Sequence, residues 1–355
     1  MNTLIEKIKR VRLELHNSPE HSGREEKTGQ IIREFLRANT NLYCRDYNGG
    51  IIAVYEPDNP AAVVAFRADF DAVSLPGGAA AHLCGHDGHT AALLGVALML
   101  ERIKPDKRIV LIFQPAEETG EGAKAMAGVI EDYDISEIYG AHNLPGFEFG
   151  RVFTSYDTFA CASCGMIFKI VGKPSHAAYP ESGVSPMGAV TELFNAIKES
   201  QEGDRFEKGT FATLIGCNMG QKAFGTSAEK AELWITVRSR SEKEFKRIRE
   251  YLEYIVKKQC GYDGLSYTLE LQDEFPATVN DRDCARKIIE NCDGEILKEP
   301  MRWSEDFGHF LNRKGTSKGA FFGIGAGDCP DLHTKNYEYP DALLEYQINA
   351  FLKLV

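Results

Sequence analysis

Apolar positions near the N-terminus recur at helical spacing. Leu4, Ile8, Val11 and Leu15 fall on one side of Thr3–His16, with charges between them. Ile31, Ile32, Phe35 and Leu36 form the same kind of stripe in Glu25–Ala38. The pattern then shortens to continuous apolar runs, which predict strands at Ile51–Tyr55, Ala62–Ala68, Arg108–Gln114 and Ile138–His142. Helices are predicted between them near His89–Leu100 and Gly122–Ile130. Runs such as VVAF and IVLIF are apolar at successive positions, so both faces of those strands are covered, as in a mostly parallel sheet between helix layers.

A second pattern begins near Phe159. Gly165–Val171 is a predicted strand, Pro186–Glu199 a helix, Phe211–Gly216 and Lys230–Ser239 strands, Glu242–Lys258 a helix and Leu265–Leu271 a strand. The order β-α-β-β-α-β is that of a ferredoxin-like α+β domain. The first style then returns. Helices are expected near Asp281–Cys292 and Asp306–Asn312, a strand at Gly319–Gly325 and a last helix at Ala342–Leu352. The predicted architecture is therefore α/β: a helix-covered, mostly parallel domain of residues 1–158 and 273–355, interrupted by a smaller α+β domain of residues 159–272.

Length and composition agree with this division. A chain of 355 residues exceeds the usual size of one hydrophobic core. The balance of 41 basic and 52 acidic side chains gives a net charge of −11, which repels nucleic acid and anionic membrane. The amphipathic N-terminus lacks the apolar stretch of a signal peptide, and no run is long enough to span a bilayer. Nine cysteines at irregular spacing suit free thiols better than a disulfide framework. The expectation is a cytoplasmic protein with no nucleic-acid or membrane partner.

The chemistry gathers where apolar runs end. Asp69 and Asp71 follow AAVVAFRA, Glu117 and Glu118 follow RIVLIFQPA, His142 follows EIYGA, and His333 follows AFFGIGAGDCPDL. Cys84 and His86 stand just before a predicted helix. In open α/β sheets, functional groups converge at the carboxyl ends of strands. Singly, each residue has an ordinary account as packing or solvated surface. Together, thiolate, imidazole and carboxylate make a metal-ligand set, and the additional carboxylate is what an activated water needs as a base.

LELHNSPEHSGREEKT, FRADFDAV, HLCGHDGHTAALL, LIFQPAEETGEGAKAM, YGAHNLPG, GKPSHAAYP, WSEDFGHFL and LHTKNY, in that order, resemble the motif series of the M20 metallopeptidase family. Within it they are similar to the amidohydrolase branch of hippurate hydrolases, N-acyl-amino-acid amidohydrolases and auxin-conjugate hydrolases. The resemblance implies a catalytic domain and a lid or dimerisation domain. It also implies two divalent cations held by Cys84, His86, Glu118, His142 and His333, with zinc first among the metals and manganese, cobalt or nickel compatible. Glu117 would be the general base for a cation-activated water, and Asp71 would orient a ligand imidazole.

In the smaller domain, His176 would reach the reacting centre and hold the oxyanion; in several relatives that histidine comes from a neighbouring subunit, which would make the chain a homodimer. A histidine merely seated in a turn is its competing account. Arg238 would recognise a substrate carboxylate, against the alternative of a surface salt bridge. The implied substrate is a small N-acyl-amino acid or peptide-like conjugate, or a peptide if the centre serves a dipeptidase or carboxypeptidase. His82 and His89 are expected in structural places beside the ligands.

The pattern departs from the family at VSLPGGAAAHL, a shortened loop, and at Ala223–Ser227, where the family has Asn-Val-Ile-Pro-Asp. Both bear on substrate choice. Cys161 and Cys164 have redox-pair spacing but lead into a strand, so packing is expected. Ser304 is expected to cap the helix that carries Glu305 and Asp306. A cysteine hydrolase with Cys84 as nucleophile, and a non-catalytic binding protein that retains the fold, are the competing classes.

Overall fold

The computed structural model describes residues 2–312 and 318–355. It divides into a larger unit, Met1–Phe159, Thr278–Pro300 and Glu305–Val355, and a smaller one, Ala160–Ala277 and Met301–Ser304.

The larger unit opens with α1 (Asn2–His16) and α2 (Glu26–Asn39), followed by β1 (Tyr43–Tyr47), β2 (Gly50–Tyr55) and β3 (Val63–Asp69). Then come α3 (His86–Ile103), β4 (Arg108–Gln114), α4 (Gly122–Met126), α5 (Val129–Asp132), β5 (Glu137–Pro145) and β6 (Val152–Thr154). The smaller unit carries β7 (Ala162–Val171), α6 (Met187–Glu202), β8 (Phe211–Met219), β9 (Lys230–Ser239), α7 (Glu242–Asp263) and β10 (Ser266–Phe275). The chain completes the larger unit with α8 (Arg282–Cys292), β11 (Glu295–Ile296), α9 (Gly308–Leu311), β12 (Lys318–Gly327) and α10 (Leu343–Leu352).

The sheet of the larger unit runs β1-β2-β4-β3-β5-β12-β6-β11. Its centre, β4-β3-β5-β12, is parallel, while β1, β2 and β6 join antiparallel neighbours. Ile109–Phe113 of β4 are fully buried on both faces, which explains the unbroken apolar run. One helix layer packs Ile8 and Leu15 of α1, Ile32 and Leu36 of α2, Leu93 and Val96 of α3 and Phe351 of α10 onto Phe66, Leu111, Phe113 and Phe322. Each such side chain contributes about 1.5–3 kcal/mol by burial. Because the central strands are parallel, their carboxyl ends share one edge, with Asp69 opposite Gln114.

The smaller unit is a four-stranded antiparallel sheet, β8-β9-β7-β10, in the ferredoxin-like order. Leu193 and Ile197 of α6 and Ile248, Leu252 and Val256 of α7 pack on Phe168, Ile170, Leu233, Ile235 and Val237. Ser241 caps α7 by accepting the Glu244 N–H, and left-handed Gly264 ends it. Cys161 and Cys164 are buried free thiols, and Cys164 belongs to this core.

Several elements differ from the pattern-based expectation. The helix expected at Gly122–Ile130 is two short ones, α4 and α5. Ser304 caps no helix: α9 begins only at Gly308, and Ser304 Oγ instead accepts from Arg238 Nη1 at 3.1 Å. The short strands β1, β6 and β11 lie outside the predicted set, because YCRDY, VFT and EI carry no sustained apolar run. The expected division also shifts. β10 extends to Phe275, and Met301–Ser304 belongs to the smaller unit, where Arg302 O accepts from Arg238 and Met301 O from Cys161 N–H.

Candidate metal centre

The sequence Cys84-Gly85-His86 turns sharply into α3. Gly85 is left-handed at φ +95, and a Cβ there would lie 2.5 Å from Asn143 Oδ1, so only glycine fits. The turn starts α3 at His86, three residues before its expected start. Cys84 Sγ lies 3.4 Å from His142 Nε2 and 3.3 Å from His333 Nε2. His333 Nε2 is in turn 3.4 Å from Glu118 Oε1.

Two groups of potential ligand atoms therefore share one thiol: Cys84, His86 and His142, and Cys84, Glu118 and His333, each within 4.8 Å. A third group, His86, Glu117 and Glu118, adjoins them. His86 Nε2 and Glu118 Oε1 are buried and 3.8 Å apart, and neither makes a hydrogen bond of good geometry among the described residues. Unsatisfied buried polar atoms cost about 1–3 kcal/mol each. A cation between them would satisfy both, so the donor set fits divalent metal ions.

The surrounding contacts aim these side chains. Asp71 Oδ1 lies 3.1 Å from His86 Nδ1, and its Oδ2 accepts from Glu118 N–H at 3.0 Å and Ser22 Oγ at 2.6 Å. His142 Nδ1 meets the Asn143 carbonyl at 2.8 Å, leaving Nε2 toward Cys84. Such outer contacts set ligand tautomer and orientation. His333 takes the left-handed conformation, φ +61, and its N–H donates to Leu83 O at 2.7 Å, tying it to the Cys84 segment. His89 is a buried neighbour, with Nδ1 2.6 Å from Asp69 Oδ1 and Nε2 2.5 Å from Asn143 Oδ1. His82 is buried with neither ring nitrogen hydrogen-bonded among the described residues, and burial pushes its imidazole down.

Behind Glu117 lies a charged cluster that pattern reasoning missed. Arg67 is buried in β3 and binds Asp69 Oδ2 at 2.6 Å, Asp306 Oδ1 at 2.7 Å and Glu305 Oε1 at 2.9 Å. Asp306 also accepts from Gln114 Nε2 and from Ala123 N–H, and its own N–H donates to Glu117 Oε1 at 3.3 Å. Two signals could have revealed the cluster. Arg67 is a cation inside a doubly covered strand, and adjacent acids Glu305 and Asp306 precede an apolar segment.

Electrostatics follow from burial and crowding. Burial pushes the Glu117 carboxyl well up, and Glu305, Asp306 and Glu118 push the same way against His86. Burial likewise raises Asp306 and the Cys84 thiol, and lowers His142 far below an ordinary imidazole. Close contacts with Cys84 and Glu118 raise His333 to about 10.

The larger unit thus brings Cys84, His86, Glu117, Glu118, His142, His333 and Asp71 together. His176 and Arg238 belong to the smaller unit. His176 is exposed, bridged to Thr226 through the backbone, with Nδ1 accepting from Ala178 N–H at 3.1 Å. Arg238 is half-buried, and its Nη1 donates to Arg302 O and Ser304 Oγ at 3.1 Å each.

The model of Peptidase family M20/M25/M40 matches residues 65–355. The chain belongs to that family. It is therefore a hydrolase of a metallo-hydrolase family acting on amide bonds. It is 28% identical to "IAA-amino acid hydrolase ILR1-like 4" of Arabidopsis thaliana, over 95% of this chain and 82% of the relative. It is 25% identical to the hippurate hydrolase of Campylobacter jejuni, over 98% of this chain and 95% of that one. Among solved structures, a Bacillus subtilis protein described as a dinuclear metal binding peptidase of the M20 family superposes with a TM-score of 0.82 at 22% identity. That match covers 99% of this chain and 97% of the other, and it bears on the fold.

Proposed function

We propose that the chain hydrolyses the amide bond of N-acyl-amino acids or small peptide-like conjugates. Glu117 is the general base beside a two-cation centre of Cys84, His86, Glu118, His142 and His333. The observation that carries this reading is the shared thiol, with Cys84 Sγ within 3.4 Å of His142 and 3.3 Å of His333. When bound, divalent cations would polarise the amide carbonyl and lower the pKa of a water.

The remaining steps fall to the chain. Asp71 orients His86 and fixes the Glu118 main chain. Glu117, buried with Oε2 3.9 Å from His86 Nε2, takes the proton from water and hands it to the departing amine. Arg238 has no carboxylate partner among the described residues, which favours a substrate carboxylate over a surface salt bridge. His176 holds the oxyanion. Zinc suits the mixed sulfur, nitrogen and oxygen set, with manganese, cobalt and nickel as compatible occupants.

The reading extends to a homodimer, since β8 is an edge strand exposing Leu214, Ile215 and Met219. It also extends to the cytoplasm, because all nine cysteines are free. The net charge of −11 disfavours nucleic-acid and membrane partners, and no described helix is long and apolar enough to cross a membrane.

The test is a panel of N-acetyl-, benzoyl- and indoleacetyl-amino acids plus dipeptides, assayed with each metal. Cleavage of acyl-amino acids that disappears with chelator and with Glu117→Gln supports the reading. Cleavage of dipeptides alone would replace it with a dipeptidase. Activity that resists chelator but not thiol alkylation would make Cys84 a nucleophile.

A further inference from the structure

Glu25 stands immediately before α2, where a side chain ordinarily accepts the first N–H groups of the helix. It does not do so here. Glu20 takes that task, its carboxylate accepting from Lys27 N–H at 3.2 Å and Thr28 N–H at 2.7 Å. The buried Glu25 carboxylate instead accepts, through Oε1, the N–H groups of Gly23 and of Ala116, each at 2.8 Å. Ala116 lies 91 residues away in sequence and directly precedes Glu117.

Ala116 is left-handed, φ +52, a conformation that a side chain disfavours. Its carbonyl accepts from Gly122 N–H at 3.1 Å and from Thr119 Oγ1 at 3.3 Å, so the whole turn after β4 closes on this residue. The left-handed step sets the direction in which Glu117 leaves the backbone. Asp71 fixes the Glu118 N–H, but the N–H on the other side of Glu117 is held by Glu25. Strain at such a position persists only where neighbours enforce it.

We propose that Glu25 is a positioning residue for Glu117, holding Ala116 left-handed so that the base stays aimed at the reacting water. The inference rests on the reading of Glu117 as general base. Without the Glu25 oxygen, Ala116 relaxes and the carboxylate swings away from its working position.

The test compares variants in the metal-loaded full chain. Glu25→Ala should lower kcat by about 10–100-fold, with KM and bound metal per chain unchanged, and should speed amide exchange at Ala116. Glu25→Gln keeps the accepting oxygen and should retain most of kcat. Adding Ala116→Gly to Glu25→Ala should recover part of the loss, since glycine adopts the left-handed form without strain. If Glu25→Ala fails to fold, Glu25→Asp, whose shorter arm withdraws the oxygen, gives the same readouts.

Wild-type kcat in Glu25→Ala, or in its Asp substitute, would overturn the inference. So would equal damage in Glu25→Gln, or a double variant no better than the single one. Failure of the underlying reading is separable: Glu117→Gln would then keep its turnover, while Ala116 exchange still reports whether Glu25 holds the turn.

Discussion

The Asp71 carboxylate stands 3.1 Å from His86 Nδ1 with one oxygen, while the other accepts the Glu118 N–H at 3.0 Å. One buried acid thereby aims two proposed ligands that come from different loops. His86 arrives from the start of α3 and Glu118 from the turn after β4, so their relative position depends on the group between them.

Asp71→Asn keeps an oxygen but loses the charge, and its amide nitrogen cannot replace the second acceptor. Metal affinity should fall by about 10–100-fold. Turnover at saturating metal should change less, because no reacting atom is removed. Competition against a chromophoric chelator measures this. An affinity equal to wild type would show that Asp71 does not orient His86.

Metal uptake should also release protons. Burial raises the Cys84 thiol, and contacts with Cys84 and Glu118 raise His333, so the pair retains protons that bound metal must displace. A ligand set must be deprotonated to bind, so apparent affinity should rise with pH. Calorimetry in buffers of different ionisation enthalpy counts the protons. Cys84→Ser should weaken zinc more than manganese, since the softer donor is the one lost. No proton release would remove Cys84 and His333 from the ligand set.

The fold was largely legible because its core repeats simple patterns. Helices α1 and α2 and strand β4 follow from periodicity and apolar runs alone, as does the β-α-β-β-α-β order of the smaller unit. What escaped were contacts between distant segments. Nothing local in REEKT announces that Glu25 reaches Ala116, and the paired acids of WSEDF signal a buried cation without saying that it is Arg67. Acids favour first turns, which is why the pattern at Ser304–Phe307 predicts a helix start. Their actual environment is a buried cation, and that preference has no bearing on it.

Arg67 shows what this cluster requires. It is the cation facing Asp69, Glu305 and Asp306, all buried. Removing one partner of a buried ion pair costs about 3–5 kcal/mol, because the charges left behind are uncompensated. Arg67→Met should therefore destabilise the larger unit by that order in urea titrations. Arg67→Lys should be almost as damaging, since an ammonium cannot reproduce the forked donors. A variant as stable as wild type would mean that the acids are neutral in the folded protein.

The N-terminus of α3 has a second anchor, on the far side of His86. Asp87 is buried, with Oδ2 2.8 Å from His16 Nδ1 and 3.3 Å from Arg12 Nη1. Burial would raise its carboxyl, but the His16 hydrogen bond and the His82 and Arg12 charges overcome this and hold it at about 2. That depression contributes stability above the ordinary carboxylate range, worth about 2 kcal/mol and lost as pH falls toward the folded value. His16 runs the other way: its Asp87 hydrogen bond raises it, so its contribution is complete below about pH 6.5 and disappears as pH rises through the folded value. The pair should therefore stabilise most in mildly acidic solution, between the two ranges. Unfolding free energies of wild type and His16→Asn should differ most near about pH 5–6 and converge as pH rises through the raised folded value of His16. A difference that stays constant across that range would mean that His16 is not charged against Asp87, and that Arg12 alone anchors the turn carrying Cys84 and His86.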